Sequence, residues 1–233
     1  MRQIVPDVYL IEGLRITQVY ALTSDEGLIL INAGFPGEAD RIAAQLAEGG
    51  YALSDAKSIV VTHSHSDHVG SLAELARRSG ARVLAHQDEA PYIEQTATMP
   101  AGSFAQRLLG WLGAVGMFRI EPCRVDQVLQ DGDEIEVLGG LHVIHAPGHT
   151  VGNMVLYQPE RRLLFCEDTL FNGAPFTGRG GLQLPPRLFS VDISQAAESA
   201  RKLADLPVDV LCAGHGKPIL EDAQKMMREV VGA

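Results

Sequence analysis

Residues 63–68 read His-Ser-His-Ser-Asp-His, and the flanks of this hexapeptide restrict what local structure can carry it. Upstream, residues 58–62 (Ser-Ile-Val-Val-Thr) form the short, β-branched apolar run expected of a buried strand. Downstream, Val69, Leu72, Leu75 and Ala76 recur at helical spacing. The hexapeptide therefore belongs in a loop at the C-terminal end of a strand that feeds a helix, where α/β folds build their sites. Imidazole and carboxylate are the donors that borderline divalent metals such as Zn²⁺ prefer. The chain has only eight histidines in 233 residues, so composition does not account for three at these offsets. In an extended loop His63 and His65 project to one side, while Asp67 and His68 fall where the chain turns into the helix. One loop can thus serve two neighbouring metal positions.

Three further segments repeat the design. Ala146-Pro147-Gly148-His149-Thr150 follows a strand-like stretch at 141–145, and its Pro-Gly turn sets a histidine at the strand's end. Residues 163–168 (Leu-Leu-Phe-Cys-Glu-Asp) are a buried-strand pattern closed by the carboxylate of Asp168. Residues 208–216 run from an apolar strand into Gly214-His215-Gly216. Four predicted strand ends each deliver a ligand-type residue.

The order HxHxDH, GHT, strand-closing aspartate and GHG resembles the metallo-β-lactamase-fold hydrolase superfamily, from Val8 to about Ile219. The resemblance implies an α/β (α+β) chain folded as a four-layer αββα sandwich, with two divalent metal ions at one edge of the sheets. Zinc is the expected metal, with iron or manganese as alternatives. His63, His65 and His149 would hold the first ion, and Asp67, His68 and His215 the second. Asp168 would bridge the two. All seven positions carry the expected residue type. The implied chemistry is hydrolysis by water that the metals acidify, with Asp67 orienting the nucleophile and shuttling its proton.

Relatives within the superfamily divide by substrate. Glyoxalase-II-like thioesterases share all seven ligands and usually add a C-terminal helical region for glutathione. This sequence ends at Ala233, soon after His215, which by that comparison disfavours glutathione thioesters. Quorum-quenching lactonases commonly place a tyrosine three residues after the bridging aspartate, where this chain has Phe171. True β-lactamases generally lack the aspartate bridge, and transfer-RNA-processing relatives fit poorly with an acidic chain. A small ester, thioester or lactone is the expected substrate class, with a phosphodiester as an alternative. A different class, the persulfide dioxygenases, would use one iron on His63, His149 and Asp168. Upstream, relatives often carry an "IDTG" strand end, whereas this chain has Ile31-Asn32-Ala33-Gly34. Asn32 can hydrogen-bond to a ligand but brings no charge.

Length and composition set outer bounds. At 233 residues the chain suits a single domain, 1–233, with a sizeable core. A formal net charge of −10 argues against a nucleic-acid partner, so a small molecule is the expected partner, with a homodimer as one open alternative for the assembly. There is no run of 18 apolar residues for a membrane span, and the N-terminus lacks a hydrophobic leader. Cys123, Cys166 and Cys212 are odd in number and scattered, which favours reduced thiols in the cytoplasm, with Cys166 and Cys212 as buried core residues. Strands are expected at 8–11, 16–22, 28–31 and 82–85, the early ones as an antiparallel meander. Helices are expected at about 38–48, 193–206 and 220–231. An apolar helical insertion at about 95–120 and a Gly/Pro-rich loop at 171–189 depart from a minimal fold. His86 reads as structural; His142 and His145 lie on the strand before His149, and His145 is either a support for a ligand or an ordinary packed or surface histidine.

Overall fold

A computed structural model describes residues 1–98, 100, 120–173 and 180–232. Its contacts divide the chain into two compact units, Met1–Met99 with Arg107–Leu129 and Pro100–Gln106 with Gln130–Ala233.

The first unit is built on a seven-stranded sheet in simple sequence order: β1 (Arg2–Val5), β2 (Val8–Leu10), β3 (Tyr20–Ser24), β4 (Gly27–Ile31), β5 (Ala56–Val61), β6 (Arg82–His86) and β7 (Gln127–Leu129). Strands β1 to β4 pair antiparallel, and β4 to β7 pair parallel. The parallel strands need crossovers, which α1 (Ala39–Glu48), α2 (Ser66–Val69), α3 (Leu72–Ser79) and α4 (Ala90–Ile93) supply. Ile42 and Leu46 of α1 and Leu72 and Leu75 of α3 pack with Leu28, Leu30, Ile59, Val61 and Val83 into one core. The alternate residues Ile31, Val60 and Leu84 are also buried, so both faces of the central strands are covered and the run at 58–62 is apolar throughout.

Two expectations shift here. The strand expected from residue 16 begins only at Tyr20, because Ile11 N–H bonds Val19 O at 2.9 Å and the residues before it loop out. A first strand, β1, precedes the meander. It is short and half exposed, so it lacks the apolar alternation that would reveal it.

The second unit holds a five-stranded sheet in the order β14-β11-β10-β9-β8, comprising β8 (Glu134–Ile135), β9 (Leu141–His145), β10 (Met154–Gln158), β11 (Leu163–Glu167) and β14 (Val210–Ala213). Only β11 and β14 pair parallel. A small ribbon pairs β12 (Phe171–Asn172) with β13 (Leu182–Gln183), and Asn172 bridges to Gly216 beyond β14. Ala200 and Leu203 of α5 (Ile193–Ala204) and Met227 of α6 (Ala223–Val231) cover Val155, Leu164 and Leu211. Asp192 caps α5 by accepting from Ser194 N and Gln195 N. The last helix starts at Ala223 rather than 220, because Ile219 exchanges both backbone hydrogen bonds with Leu211 and holds the chain extended.

The apolar insertion expected at 95–120 and the centre of the 171–189 loop fall mostly outside the described residues. Among the described residues, no helix is long and apolar enough to cross a membrane.

Candidate metal centre

In the first unit, β5 ends at Val61 and the chain continues through Thr62 into the hexapeptide. His63 and His68 are fully buried, and their ring centroids lie 4.0 Å apart. His65 meets His63 edge-on at 4.8 Å. Asp67 and His68 lie on α2, as the turn into a helix predicts. The nitrogens of His63 and His65 lie within 4.8 Å of each other, as do the donor atoms of Asp67 and His68. The loop after β4 docks against this turn: Ala33 N–H donates to His68 O at 2.8 Å and Gly70 N–H to Gly34 O at 2.9 Å.

Three side chains far off in sequence fix the hexapeptide. Thr17, buried, donates its hydroxyl to Asp67 Oδ2 at 2.8 Å. Glu89, fully buried, accepts from Ser64 N–H at 2.8 Å and from the Ser64 hydroxyl. Asn32 Oδ1 accepts from both the N–H and the hydroxyl of Thr62 at 3.0 Å each. Asn32 takes the left-handed conformation at φ 65°, which asparagine tolerates better than most residues. Its carbonyl oxygen is thus engaged by Thr62, the residue that immediately precedes the hexapeptide.

In the second unit, Asp168 follows β11 directly, after Glu167 at φ 45° turns the strand end. The Nε2 atoms of His149 and His215 each lie 3.2 Å from the same carboxylate oxygen, Asp168 Oδ2. All three side chains are buried. Phe171 stacks on the His215 ring at 4.4 Å and 26°, and its edge approaches His149 at 6.0 Å. The glycines of both motifs have steric reasons. At Gly148 (φ +124°) a Cβ would sit 2.1 Å from Ala196 N, and at Gly216 (φ +86°) it would sit 1.6 Å from Asn172 O.

The His149 turn is braced from several sides. His145 Nε2 lies 2.9 Å from Val151 O. Asn153 Nδ2 donates to Ala146 O and to Thr169 Oγ1, both at 2.9 Å. His149 Nδ1 lies 3.4 Å from Ser190 Oγ, which itself donates to Pro186 O at 3.1 Å. Cys166 and Cys212 are buried, as expected, and burial pushes the Cys166 thiol well up.

Each unit thus brings its own expected ligands together: His63, His65, Asp67 and His68 in the first, His149, Asp168 and His215 in the second. Sequence reasoning missed Thr17, Glu89 and Ser190, whose residue types are common in loops and which no nearby motif marks. His142 is exposed, near Glu134, and His86 is buried with its Nδ1 accepting from Asp88 N–H at 3.3 Å.

The family model of the metallo-beta-lactamase superfamily matches residues 13–215. Hydroxyacylglutathione hydrolase of Pseudomonas aeruginosa (strain LESB58) is 36% identical over 177 residues, covering 75% of this chain and 52% of that protein. The chain therefore spans about half the length of the curated relatives of that name. A probable metallo-hydrolase of Bacillus subtilis (strain 168) is 28% identical over 221 residues, covering 88% of this chain and 83% of that one. Among solved structures, a metallo-beta-lactamase family protein of Thermus thermophilus superposes with a TM-score of 0.76 at 24% identity, over 99% of this chain and 80% of that one, a likeness of fold. With the seven motif positions filled and the family model spanning nearly the whole chain, this protein belongs to the metallo-beta-lactamase superfamily and has its mixed α/β fold.

Proposed function

We propose that the chain is a hydrolase that holds two divalent metal ions, with zinc as the native metal, and cleaves a small thioester, with esters and lactones as secondary substrates. His63, His65 and His149 would hold one ion, Asp67, His68 and His215 the other, and Asp168 would serve both. The observation that carries this reading is the approach of two imidazole nitrogens to one oxygen of Asp168 at 3.2 Å each, in a buried setting. Two ring nitrogens and a carboxylate oxygen converging in a buried setting form a donor set that a divalent cation fits. The donor set, imidazole and carboxylate without thiolate, suits zinc and its neighbours.

When bound, such ions acidify water and polarise a carbonyl oxygen. The protein's part is positional. Asp67 holds one oxygen against Thr17, which sets the carboxylate's plane and directs its other oxygen to receive and pass on a proton. Phe171 keeps the His215 ring in a fixed plane and offers no hydroxyl of its own to the substrate. The hydroxyacylglutathione hydrolase relatives support thioesters first. The charge of −10 disfavours a polyanionic partner. Unbridged Cys123, Cys166 and Cys212 favour the cytoplasm.

Elemental analysis of protein purified without added metal tests the centre. The reading expects about two zinc or manganese ions per chain, and faster turnover of a hydroxyacyl thioester than of a matched oxygen ester or γ-lactone. About one iron per chain with little zinc, together with oxygen uptake on a persulfide, overturns it.

A further inference from the structure

The loop between β2 and β3 has no regular structure, yet hydrogen bonds to four side chains outside it pin it in place. Glu12 N–H donates to Gln45 Oε1 at 3.3 Å, and Glu12 O accepts from Arg41 Nε at 3.3 Å. Arg15 N–H donates to Glu38 Oε1 at 2.7 Å, and Thr17 ties the loop to Asp67. Glu38 is buried, and its second oxygen accepts the Phe35 N–H at 2.9 Å. One carboxylate thus holds the backbones of Arg15 and Phe35 side by side, and the Arg15 guanidinium lies over the Phe35 ring, 5.9 Å from its centroid. Both residues flank the turn that carries Asp67 and His68. Arg15 is two residues from Thr17, so their Cα atoms lie within about 7 Å. Phe35 follows Ala33 and Gly34, whose backbones bond to His68 O and to Gly70 N–H.

Arg15 is exposed, and stacking engages only the face of its guanidinium, which leaves the edge with its N–H donors available. Arg2, Arg77, Arg78, Arg124 and Arg162 each face a carboxylate oxygen at 2.8–3.6 Å. Among the described residues, no carboxylate pairs with the Arg15 guanidinium in this way. A net charge of −10 repels small anions in general, and an unneutralised guanidinium beside the ligand-bearing turn reverses that locally. We infer that Arg15, with Phe35 as its platform, is a specificity-determining residue that takes a carboxylate carried by the substrate. The inference rests on the proposed hydrolase reading and adds the substrate class: a thioester that bears a carboxylate, on its acyl or its thiol side. A planar guanidinium meets a carboxylate through two parallel hydrogen bonds. A backbone already pinned by Glu38 loses little freedom when that fork closes.

Kinetics of the full-length protein on three thioesters test it. Lactoyl N-acetylcysteamine is neutral, lactoyl mercaptopropionate carries a carboxylate on the thiol side, and succinyl N-acetylcysteamine carries one on the acyl side. In the wild type a carboxylate-bearing thioester is expected to exceed the neutral one in kcat/KM. Arg15→Ala is expected to cut that advantage about 10-fold, through KM rather than kcat. Whichever charged thioester loses its advantage identifies the side that Arg15 reads. Arg15→Lys, which keeps the charge without the fork, is expected to fall between. A second arm needs no turnover. In a ¹H–¹⁵N spectrum of the arginine Nε–H groups, the thioether S-propylmercaptopropionate is expected to shift the signal that Arg15→Ala removes, and its amide is not. An advantage unchanged in Arg15→Ala, or an Arg15 signal that ignores the carboxylate, overturns the inference. An Arg15 signal that responds in a protein that hydrolyses no thioester would uphold the carboxylate site and defeat the hydrolase reading instead.

Discussion

Thr17 Oγ1 donates a hydrogen bond of 2.8 Å to Asp67 Oδ2 across 50 residues of sequence. Thr17 is buried, in the irregular stretch before β3, while Asp67 lies on the short helix α2 and is partly exposed. If Asp67 orients a nucleophile as proposed, it needs one oxygen tethered, and Thr17 would be the tether. Thr17→Val preserves shape and removes the donor. Hydrolysis is expected to fall about 10–100-fold, the usual effect of losing a group that supports a metal ligand, while Thr17→Ser retains most of it. Equal activity in Thr17→Val and wild type, measured as kcat on a thioester, would show the tether to be idle.

Glu89 holds the Ser64 peptide between two of the histidines. Glu89→Ala leaves a buried N–H and a buried hydroxyl without their acceptor, at roughly 1–3 kcal/mol each. Urea unfolding is expected to show a loss of about 3 kcal/mol. Glu89→Gln keeps an acceptor oxygen and should recover most of it.

Asp168 is the residue on which the imidazoles of His149 and His215 converge. Asp168→Asn keeps the volume and removes the charge, so bound metal is expected to drop by about one equivalent or more and activity with it. Chelation of the wild type should abolish turnover, and added zinc should restore it. Full metal content in Asp168→Asn would remove the aspartate from the ligand set.

Cys123 has its thiol pushed up to about 11 from an ordinary 9.0, first by burial and then by Asp126 and Glu121. Below pH 9 the thiol is protonated whether the chain is folded or not, and the shift has no effect. Between about 9 and 11 the unfolded chain releases this proton and the folded one keeps it, so the folded state loses stability as pH rises through that window. Cys123→Ser is expected to flatten this part of the stability curve. Iodoacetamide labelling at pH 8, followed by mass spectrometry, should find Cys123 slow and buried Cys166 and Cys212 protected until the chain unfolds.

Gly216→Ala tests the GHG motif. Its Cβ would sit 1.6 Å from Asn172 O at a φ of +86°, so the chain beside His215 must move. The Asn172 N–H bond to His215 O, 3.0 Å long, should break with it. Lowered melting temperature together with weakened metal binding is the expected outcome; a variant unchanged in both would mean that the turn carries no positional role.

The sequence by itself marked the candidate ligands and their local setting. Each one follows a strand whose apolar run is legible within six residues, and a strand end followed by a helix or a glycine turn is a local event. His63, His65, Asp67 and His68 therefore announced one another by spacing alone, and the glycines beside His149 and His215 marked tight turns before any contact was known. Short β1 and the late start of β3 were not legible, because neither follows an apolar alternation. Only the tertiary structure decided which side chains hold the ligands in place. Thr17 meets Asp67 over 50 residues, Glu89 meets Ser64 over 25, and Ser190 meets His149 over 41. A hydrogen bond has a range of about 3 Å and no sequence period, so such partners become visible only once the sheets have brought distant loops to the same strand ends.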